Sequence, residues 1–129
     1  MEKRISCRAI ITKDDGLVAI FRRKNGKEYY ALPGGGIEPS DKDNIHTIQR
    51  ELKEELSVDV RVLAYLDTIE EETTVQVYYH CEIVSGEIAL GGEELDKVCE
   101  SNYYEPSIIS KDMIDKVDVE PKSIIHMVI

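Results

Sequence analysis

The stretch LPGGGIEPSDKDNIHTIQRELKEELSV, residues 32–58, decides how this sequence is interpreted. Three successive glycines lead into a polar loop, and a segment with helical periodicity follows that loop. The spacing predicts a helix over about residues 43–56, with four apolar side chains on one face: Ile45, Ile48, Leu52 and Leu56. Either Asp41 or Asp43 can cap the first turn, because a short acidic side chain accepts hydrogen bonds from free backbone N–H groups.

Three carboxylates crowd the second half of the predicted helix. Glu51 and Glu55 are four residues apart, so they lie side by side at the edge of the apolar face, and Glu54 lies toward the same side. Like charges at this spacing repel each other, and partial burial increases the cost. A hard divalent cation such as Mg²⁺ or Mn²⁺ would relieve the repulsion, because it prefers oxygen ligands. A solvated acidic helix face is the alternative interpretation.

Two further features bear on that choice. Arg50 precedes Glu54 by four residues, so an ion pair between them can orient the Glu54 carboxylate. The glycine triplet, residues 34–36, allows backbone groups to approach a ligand closely, since no side chain blocks the way. A simple tight turn would also explain the glycines.

The rest of the sequence is mostly strands. Alternating or apolar runs predict strands at 5–12, 17–23, 27–32, 58–66, 73–83 and 103–109, separated by turn signals such as Asn25-Gly26. In the fourth strand, one face should carry Val58, Val60, Val62, Ala64 and Leu66. In the fifth, one face should carry Thr73, Val75, Val77, Tyr79, Cys81 and Ile83. Short helices are predicted at 110–117 and 121–128. The order predicts a mixed β-sheet flanked by helices, an α+β or α/β/α sandwich.

Length and composition set further limits. The 129 residues predict a single domain over 1–129. A net charge of −10 argues against nucleic acid as a partner. No apolar run is long enough to cross a membrane, and the first residues do not form a signal peptide. The three cysteines have neither disulfide nor zinc spacing, which favours free thiols and a cytoplasmic location. The apolar segment IIHMVI near the end leaves a monomer and a homodimer equally open.

These residues together resemble the Nudix hydrolase signature, GX5EX7REUXEEXGU, in which U is a bulky aliphatic residue. RELKEEL at 50–56 matches its core, Val58 fills the last aliphatic position, and LPGG precedes the loop, so the box covers about 34–58. The loop departs from the signature. Aligned from Gly35, the loop glutamate becomes Asp41 with one extra residue before Arg50; we prefer this alignment because it keeps a carboxylate and loop insertions cost little. Aligned from the arginine, it would be Lys42. Ser57 replaces the glycine after the helix, and Ser40 replaces a loop glycine.

The resemblance implies a Nudix-like sheet and a divalent-metal-dependent hydrolase. Such an enzyme cleaves the diphosphate linkage of a nucleoside diphosphate joined to another moiety. By position, the main metal ligands would be Glu51 and Glu55, with a backbone carbonyl of Gly35 or Gly34. Glu54 would be a third ligand or a catalytic support held by Arg50. Arg50 would act as a catalytic residue that supports Glu54. The general base would be Glu51 or a later glutamate, namely Glu93, Glu94 or Glu100.

Residues that contact the substrate are harder to predict. Arg22 and Arg23 end a strand near the glycines, and Tyr103 follows an acidic loop, so these three are candidates. Adjacent strand residues face opposite ways, so one arginine at most should point inward. The altered loop also motivates an alternative, a Nudix-fold module that binds a nucleotide without turning it over. A protein-interaction domain with purely surface glutamates is a third hypothesis. The sequence leaves the identity of the nucleotide open.

Overall fold

The computed structural model of the chain describes residues 2–89 and 102–129, and a mixed β-sheet dominates it. The strands are β1 (Arg4–Lys13), β2 (Gly16–Lys24), β3 (Lys27–Ala31), β4 (Gly34–Gly36), β5 (Asp59–Glu70), β6 (Thr74–Ser85) and β7 (Asn102–Ser110). The helices are α1 (Asn44–Leu56), a 3-10 helix (Lys111–Lys116) and the short α2 (Lys122–Ile125). None of the helices within these two ranges is long and apolar enough to cross a membrane.

The sheet splits at one end, between β1 and β2. Its main strand order is β3-β2-β1-β6-β5, with β7 also paired to β2 and β4 also paired to β1. β1 runs parallel to β6 and antiparallel to β2, which it contacts only near the turn, from Ile11 opposite Val18 to Lys13 opposite Gly16. Beyond that point β4 replaces β2 as the neighbour of β1. A gap therefore opens between the two halves of the sheet, and the glycine strand β4 lies within it.

Each face of the sheet has its own apolar core. On one face Ile48, Leu52 and Leu56 of α1 pack against alternate residues of β1 and β6, such as Cys7 and Val77. On the other face, residues near the end of the chain, Ile114, Ile124 and Ile125, pack against strand residues that include Ile10 and Tyr78. Helices thus cover both faces, which confirms the predicted mixed sheet with flanking helices.

Helix α1 agrees with its prediction except in the first turn. Asp43 is the N-cap, since its side chain accepts a hydrogen bond of 2.8 Å from the backbone N–H of His46. Ile48, Leu52 and Leu56 are buried as expected. The assignment of Ile45 to the buried face was wrong, because its side chain is 44% exposed. The buried residue of the first turn is Thr47, whose hydroxyl donates to the Asp41 carboxylate of the preceding loop.

The alternation predicted for 58–66 is correct at its start and wrong at its end. Val60 and Val62 pack on the α1 side of the sheet, whereas Leu66 packs against the opposite core and Ala64 is exposed. The pairing of β5 with β6 shifts register between Val62 and Ala64, and again between Tyr65 and Asp67. Each irregularity inserts a residue and reverses the alternation. The predicted face of β6 is confirmed from Val75 to Ile83, with Val77 and Cys81 in the α1-side core and their alternate neighbours packed against it. Including Thr73 in this face was wrong, because Thr73 is exposed and precedes the strand.

The last part of the chain is less helical than predicted. The segment expected to be a helix over 110–117 is a 3-10 helix over Lys111–Lys116. The helix expected over 121–128 is only one turn, Lys122–Ile125. The preceding strand, β7, extends one residue beyond its prediction at each end.

Ser57 ends α1 in a conformation that suits glycine better. Its φ of 63° and ψ of 29° are left-handed, and its backbone N–H donates to the Lys53 carbonyl. A side chain in this region costs about 1 kcal/mol relative to glycine. We expect Ser57→Gly to raise the free energy of unfolding by roughly that amount, up to about 1 kcal/mol, in urea titrations.

Ser110→Gly is the matched control for this prediction. Ser110 is also exposed, but its φ is −62°, which any residue adopts without strain. Glycine there should lower the free energy of unfolding, because it adds freedom to the unfolded chain. If both substitutions changed stability in the same direction, strain at Ser57 would not be the cause.

Candidate active site

A cavity of about 570 Å³ occupies the gap between the two halves of the sheet. Its walls are strongly polar. The glycine strand and two glutamates of α1 form one side, with Gly34, Gly35, Gly36, Glu51 and Glu55. Three arginines from the neighbouring strands, Arg4, Arg8 and Arg22, also line it, together with Gln76, Tyr78 and Glu120. The cavity therefore brings acidic and basic side chains to one exposed strand of glycines.

Two of the three glycines are required by their surroundings. A Cβ atom at Gly35 would overlap the carboxylate of Glu51. A Cβ atom at Gly34 would overlap the backbone of Cys7 and Arg8, and the φ of Gly34 is +141°, outside the usual range of other residues. The absence of side chains is thus what lets Glu51 approach the backbone of β4.

The carbonyl groups of β4 alternate in direction. Ala9 donates its N–H to the Pro33 carbonyl, and Ile37 donates its N–H to the Ile5 carbonyl. In an antiparallel ladder, hydrogen-bonded pairs recur at every second residue, so the pair midway between these two, Cys7 and Gly35, is also hydrogen-bonded. The Gly35 carbonyl therefore faces β1. The Gly34 carbonyl faces away from β1 and accepts a hydrogen bond of 3.3 Å from Nη1 of Arg8. This geometry favours Gly34 over Gly35 as a carbonyl ligand.

The three glutamates of α1 differ in position. Glu55 is only 8% exposed and the Glu51 side chain 17% exposed, and both line the cavity. The Glu54 side chain is 58% exposed and turns toward Arg50 instead. Burial raises the pKa of Glu51, and the hydrogen bond from Arg50 only partly offsets this effect. The structure thus brings Glu51 and Glu55 together with the glycines, and leaves Glu54 outside.

The donor atoms around β4 suit a hard divalent cation. The Glu51 and Glu55 carboxylates and the Gly34 carbonyl all offer oxygen, the ligand atom that Mg²⁺ and Mn²⁺ prefer. Gly35 supplies the space, since any side chain there would occupy the position of the Glu51 carboxylate. In the described parts of the chain, no three histidine, cysteine, aspartate or glutamate side chains already converge to hold a metal. A cation would therefore depend on the backbone carbonyl and on water as well.

Arg50 connects the loop, the glycine strand and the helix. Its Nε and Nη2 atoms donate to the two oxygens of Asp41, each at 2.8 Å. Its Nη1 donates to Glu51 at 3.0 Å and to Glu54 at 3.3 Å, so the predicted ion pair with Glu54 is present. Nη2 also donates to the Gly36 carbonyl at 3.1 Å. Arg50 thereby fixes Glu51 relative to β4, and the sequence had indicated only one of these contacts.

Asp41 holds the loop rather than facing the cavity. Besides the paired contact with Arg50, its carboxylate accepts hydrogen bonds of 2.9 Å from the Glu38 N–H and the Thr47 hydroxyl. The Arg50 hydrogen bonds hold the pKa of Asp41 well below its usual value, with help from the Glu38 N–H. The loop thus accommodates its extra residue while the Asp41 carboxylate keeps its hydrogen bonds to Arg50.

The predicted substrate contacts separate into two groups. Arg22 lines the cavity, and its guanidinium carbon lies 4.6 Å from the ring centre of Tyr104. Arg23 faces the other way and packs over Tyr103 at 5.2 Å, and the Tyr103 hydroxyl donates to Glu105. Neither Arg23 nor Tyr103 is brought to the cavity.

Some residues of the site were not predicted, and others cannot be placed. The cavity also contains Arg4, Arg8 and Glu120, which the sequence analysis did not single out. Strand alternation alone could have put Arg4 and Arg8 on one face of β1, although not in a cavity. The proposed alternative bases Glu93, Glu94 and Glu100 lie outside the described residues.

The fold and the site are those of the Nudix hydrolase class. The mixed sheet is split, a strand of glycines lies in the gap, and an arginine joins that strand to a helix that carries glutamates. A family model described as the NUDIX domain matches residues 2–124, and the chain belongs to this family. A search of curated protein sequences finds no match.

Solved structures show the same fold at low sequence identity. A MutT NUDIX hydrolase from Burkholderia pseudomallei aligns with a TM-score of 0.72 and 20% identity, over 100% of both chains. A UDP-X diphosphatase aligns with a TM-score of 0.70 and 17% identity, over 98% of this chain but only 61% of that one. An ADP-ribose pyrophosphatase from Streptococcus suis aligns with a TM-score of 0.62 and 18% identity, over 84% and 75%.

The contact between Asp41 and Arg50 should make stability depend on pH in the acidic range. A carboxyl whose pKa is lowered in the folded state stabilises the fold above its unfolded pKa, near 3.8, and loses this contribution as pH falls further. Asp41→Asn removes the charge. We therefore expect the wild type to be more stable than this variant at pH 7, and the difference to shrink below about pH 4.

Urea unfolding at pH 7, 5 and 3 measures this difference. Asp67→Asn, at an exposed position on β5, is the matched control and should change stability little at each pH. A difference between wild type and Asp41→Asn that stayed constant down to pH 3 would contradict the assigned role of the ion pair.

Proposed function

We propose that this protein is a divalent-metal-dependent pyrophosphohydrolase that cleaves the diphosphate linkage of a nucleoside diphosphate joined to another moiety. The observation that carries the proposal is the shared cavity. There Glu51 and Glu55 meet the bare backbone of β4, and arginines line the other walls. Membership of the NUDIX family supports the same class of reaction. We also propose that the whole chain forms one domain.

The glutamates and the glycine strand would hold the cation, Mg²⁺ or Mn²⁺. Glu51, Glu55 and the Gly34 carbonyl are the proposed ligands, and Glu54 would support them through Arg50. When bound, such a cation neutralises phosphate charge and lowers the pKa of a coordinated water. The reaction adds water across one P–O bond of the diphosphate bridge, which leaves two phosphate-bearing products.

Glu51 is the proposed general base among the described residues. Its carboxylate lies in the cavity, and burial raises its pKa, which brings it closer to the range in which a carboxylate accepts a proton efficiently. Arg50 holds one of its oxygens, so the side chain has a fixed direction. Glu93, Glu94 and Glu100 remain alternatives for this role.

The arginines would bind the phosphates. Arg22 projects into the cavity from β2, supported by the ring of Tyr104. The nucleotide itself stays open, and candidates include ADP-ribose, nucleotide sugars, oxidised deoxynucleoside triphosphates and dinucleoside polyphosphates. A reducing compartment such as the cytoplasm belongs to the same proposal, because Cys7 and Cys81 are buried free thiols. The monomer and the homodimer remain alternatives.

A screen of these nucleotides with Mg²⁺ tests the proposed activity through the release of phosphate or nucleoside monophosphate. Glu55→Gln should lower the rate on any accepted substrate by roughly a hundredfold or more, because it removes a charged ligand from the cavity. Glu72→Gln, at an exposed position between β5 and β6, is the matched control and should leave the rate unchanged. Binding of nucleotides without turnover across the screen would favour the alternative, a nucleotide-binding module.

Adjacent glycines provide a second test of the geometry. In Gly35→Ala the new methyl group would overlap the Glu51 carboxylate, which is the flexible end of a side chain and can move away. We expect this variant to fold normally and to lose activity by roughly tenfold or more, since small displacements of reacting groups cost rate steeply.

Gly36→Ala is the control for that substitution. Its methyl group would have its nearest contact at 3.4 Å, with the Arg4 side chain. The loss of activity should therefore be much smaller than in Gly35→Ala, at similar melting temperatures. Equal losses in the two variants would show that the position of Glu51 is not the cause.

A further inference from the structure

Arg8 lines the cavity in an orientation that several hydrogen bonds define. Along β1, Cys7 and Ala9 face α1, so Arg8 emerges on the opposite face of the sheet. Its Nε donates to Gln76 at 3.1 Å, and its Nη1 donates to the Leu32 and Gly34 carbonyls at 3.4 and 3.3 Å. Three partners on three different strands or turns therefore hold the guanidinium in place.

These contacts leave one edge of the guanidinium available. A guanidinium has five N–H groups, and the three hydrogen bonds use those on Nε and Nη1. Within residues 2–89 and 102–129, Nη2 of Arg8 has no hydrogen-bond partner, although the side chain lines the cavity. A fixed guanidinium with free N–H groups is suited to bind oxygens of a phosphate.

The contact with Gly34 puts Arg8 in conflict with the proposed cation. Both would interact with the same carbonyl oxygen, Arg8 from one face of the glycine strand and the cation from the side of Glu51 and Glu55. Two positive charges a few ångströms apart repel each other. A phosphate placed between them attracts both, so the same pair of charges becomes favourable once a diphosphate is bound.

We propose that Arg8 anchors a phosphate of the substrate, and that its contact with the Gly34 carbonyl is a resting arrangement that opposes cation binding until the phosphate is present. This inference rests on the proposed function, because it assumes a cation at Glu51, Glu55 and Gly34. Arg8 would then bind the substrate and also affect the affinity of the protein for the cation. That affinity would be weak for the cation alone and stronger when a diphosphate is bound.

Two binding measurements with opposite expected signs test the proposal. The first titrates Mn²⁺ into substrate-free protein. Arg8→Gln should bind Mn²⁺ roughly tenfold more tightly than the wild type, because a nearby positive charge is gone. The second titrates α,β-methylene-ADP, a diphosphate that resists cleavage at its bridge, in the presence of saturating Mn²⁺. Arg8→Gln should bind it roughly ten- to a hundredfold more weakly, because a charged hydrogen bond is lost.

Two further variants separate charge from geometry. Arg8→Lys keeps the charge but lacks the planar fork, so Mn²⁺ affinity should stay near that of the wild type while the diphosphate binds more weakly. This variant also serves if Arg8→Gln does not fold. Arg61→Gln removes an exposed arginine that, within the described residues, pairs with Glu82 on the neighbouring strand, and should change neither affinity.

The outcomes distinguish this inference from the proposed function. If the wild type binds Mn²⁺ and Arg8→Gln binds it equally or less tightly, Arg8 is a structural residue and the inference is overturned. If both Arg8 variants bind α,β-methylene-ADP as tightly as the wild type does, the phosphate contact is overturned. It is also overturned if the wild type does not bind this compound. If the wild type and Arg8→Gln alike fail to bind Mn²⁺, both alone and with α,β-methylene-ADP present, the proposed function fails, and this inference fails with it.

Discussion

The paired hydrogen bonds between Arg50 and Asp41 determine how the loop, the glycine strand and helix α1 fit together. Both oxygens of the Asp41 carboxylate accept hydrogen bonds of 2.8 Å from Arg50. In this geometry the guanidinium cannot rotate without losing both contacts. The remaining N–H groups of Arg50 then point at Glu51, Glu54 and the Gly36 carbonyl. The Asp41 carboxylate of the loop thereby fixes the Glu51 carboxylate in the cavity through Arg50, although Asp41 itself does not line the cavity.

The glycine strand explains why the site draws on both faces of the sheet. A strand with side chains would separate the α1 face, with Glu51 and Glu55, from the opposite face, with Arg8. β4 has none, and it lies in the gap where β1 parts from β2. Glu51 on one side and Arg8 on the other thus approach two neighbouring glycines of β4, Gly35 and Gly34. The split of the sheet and the composition of β4 are needed together, since either alone would leave the two sets of charges apart.

The structural features that the sequence predicted well are those that depend on local periodicity. Helix α1, the inward face of β6 and the cluster of Glu51 and Glu55 follow from spacing along one segment. Features that depend on how distant strands pair were missed. The register shifts of β5 moved Leu66 to the opposite core, and the ladder between β1 and β4 turned the Gly35 carbonyl toward β1 and the Gly34 carbonyl away from it. Nothing in the local sequence around Arg8 indicates that a gap in the sheet lies beside it.

The overall charge of the chain gives little guidance to the chemistry of the site. A net charge of −10 would repel a diphosphate from most of the surface. Yet the cavity contains Arg4, Arg8 and Arg22 as well as Glu51 and Glu55, so its lining is far more balanced than the whole protein. The carboxylates favour a cation, and the arginines favour an anion. In the proposed function, a cation and a diphosphate bound together would satisfy both sets of side chains, whereas either ligand alone would leave one set facing a charge of its own sign. Under the proposed function, this lining would favour the metal-bound diphosphate over its separate components, because each ligand would screen the other from the side chains of its own sign.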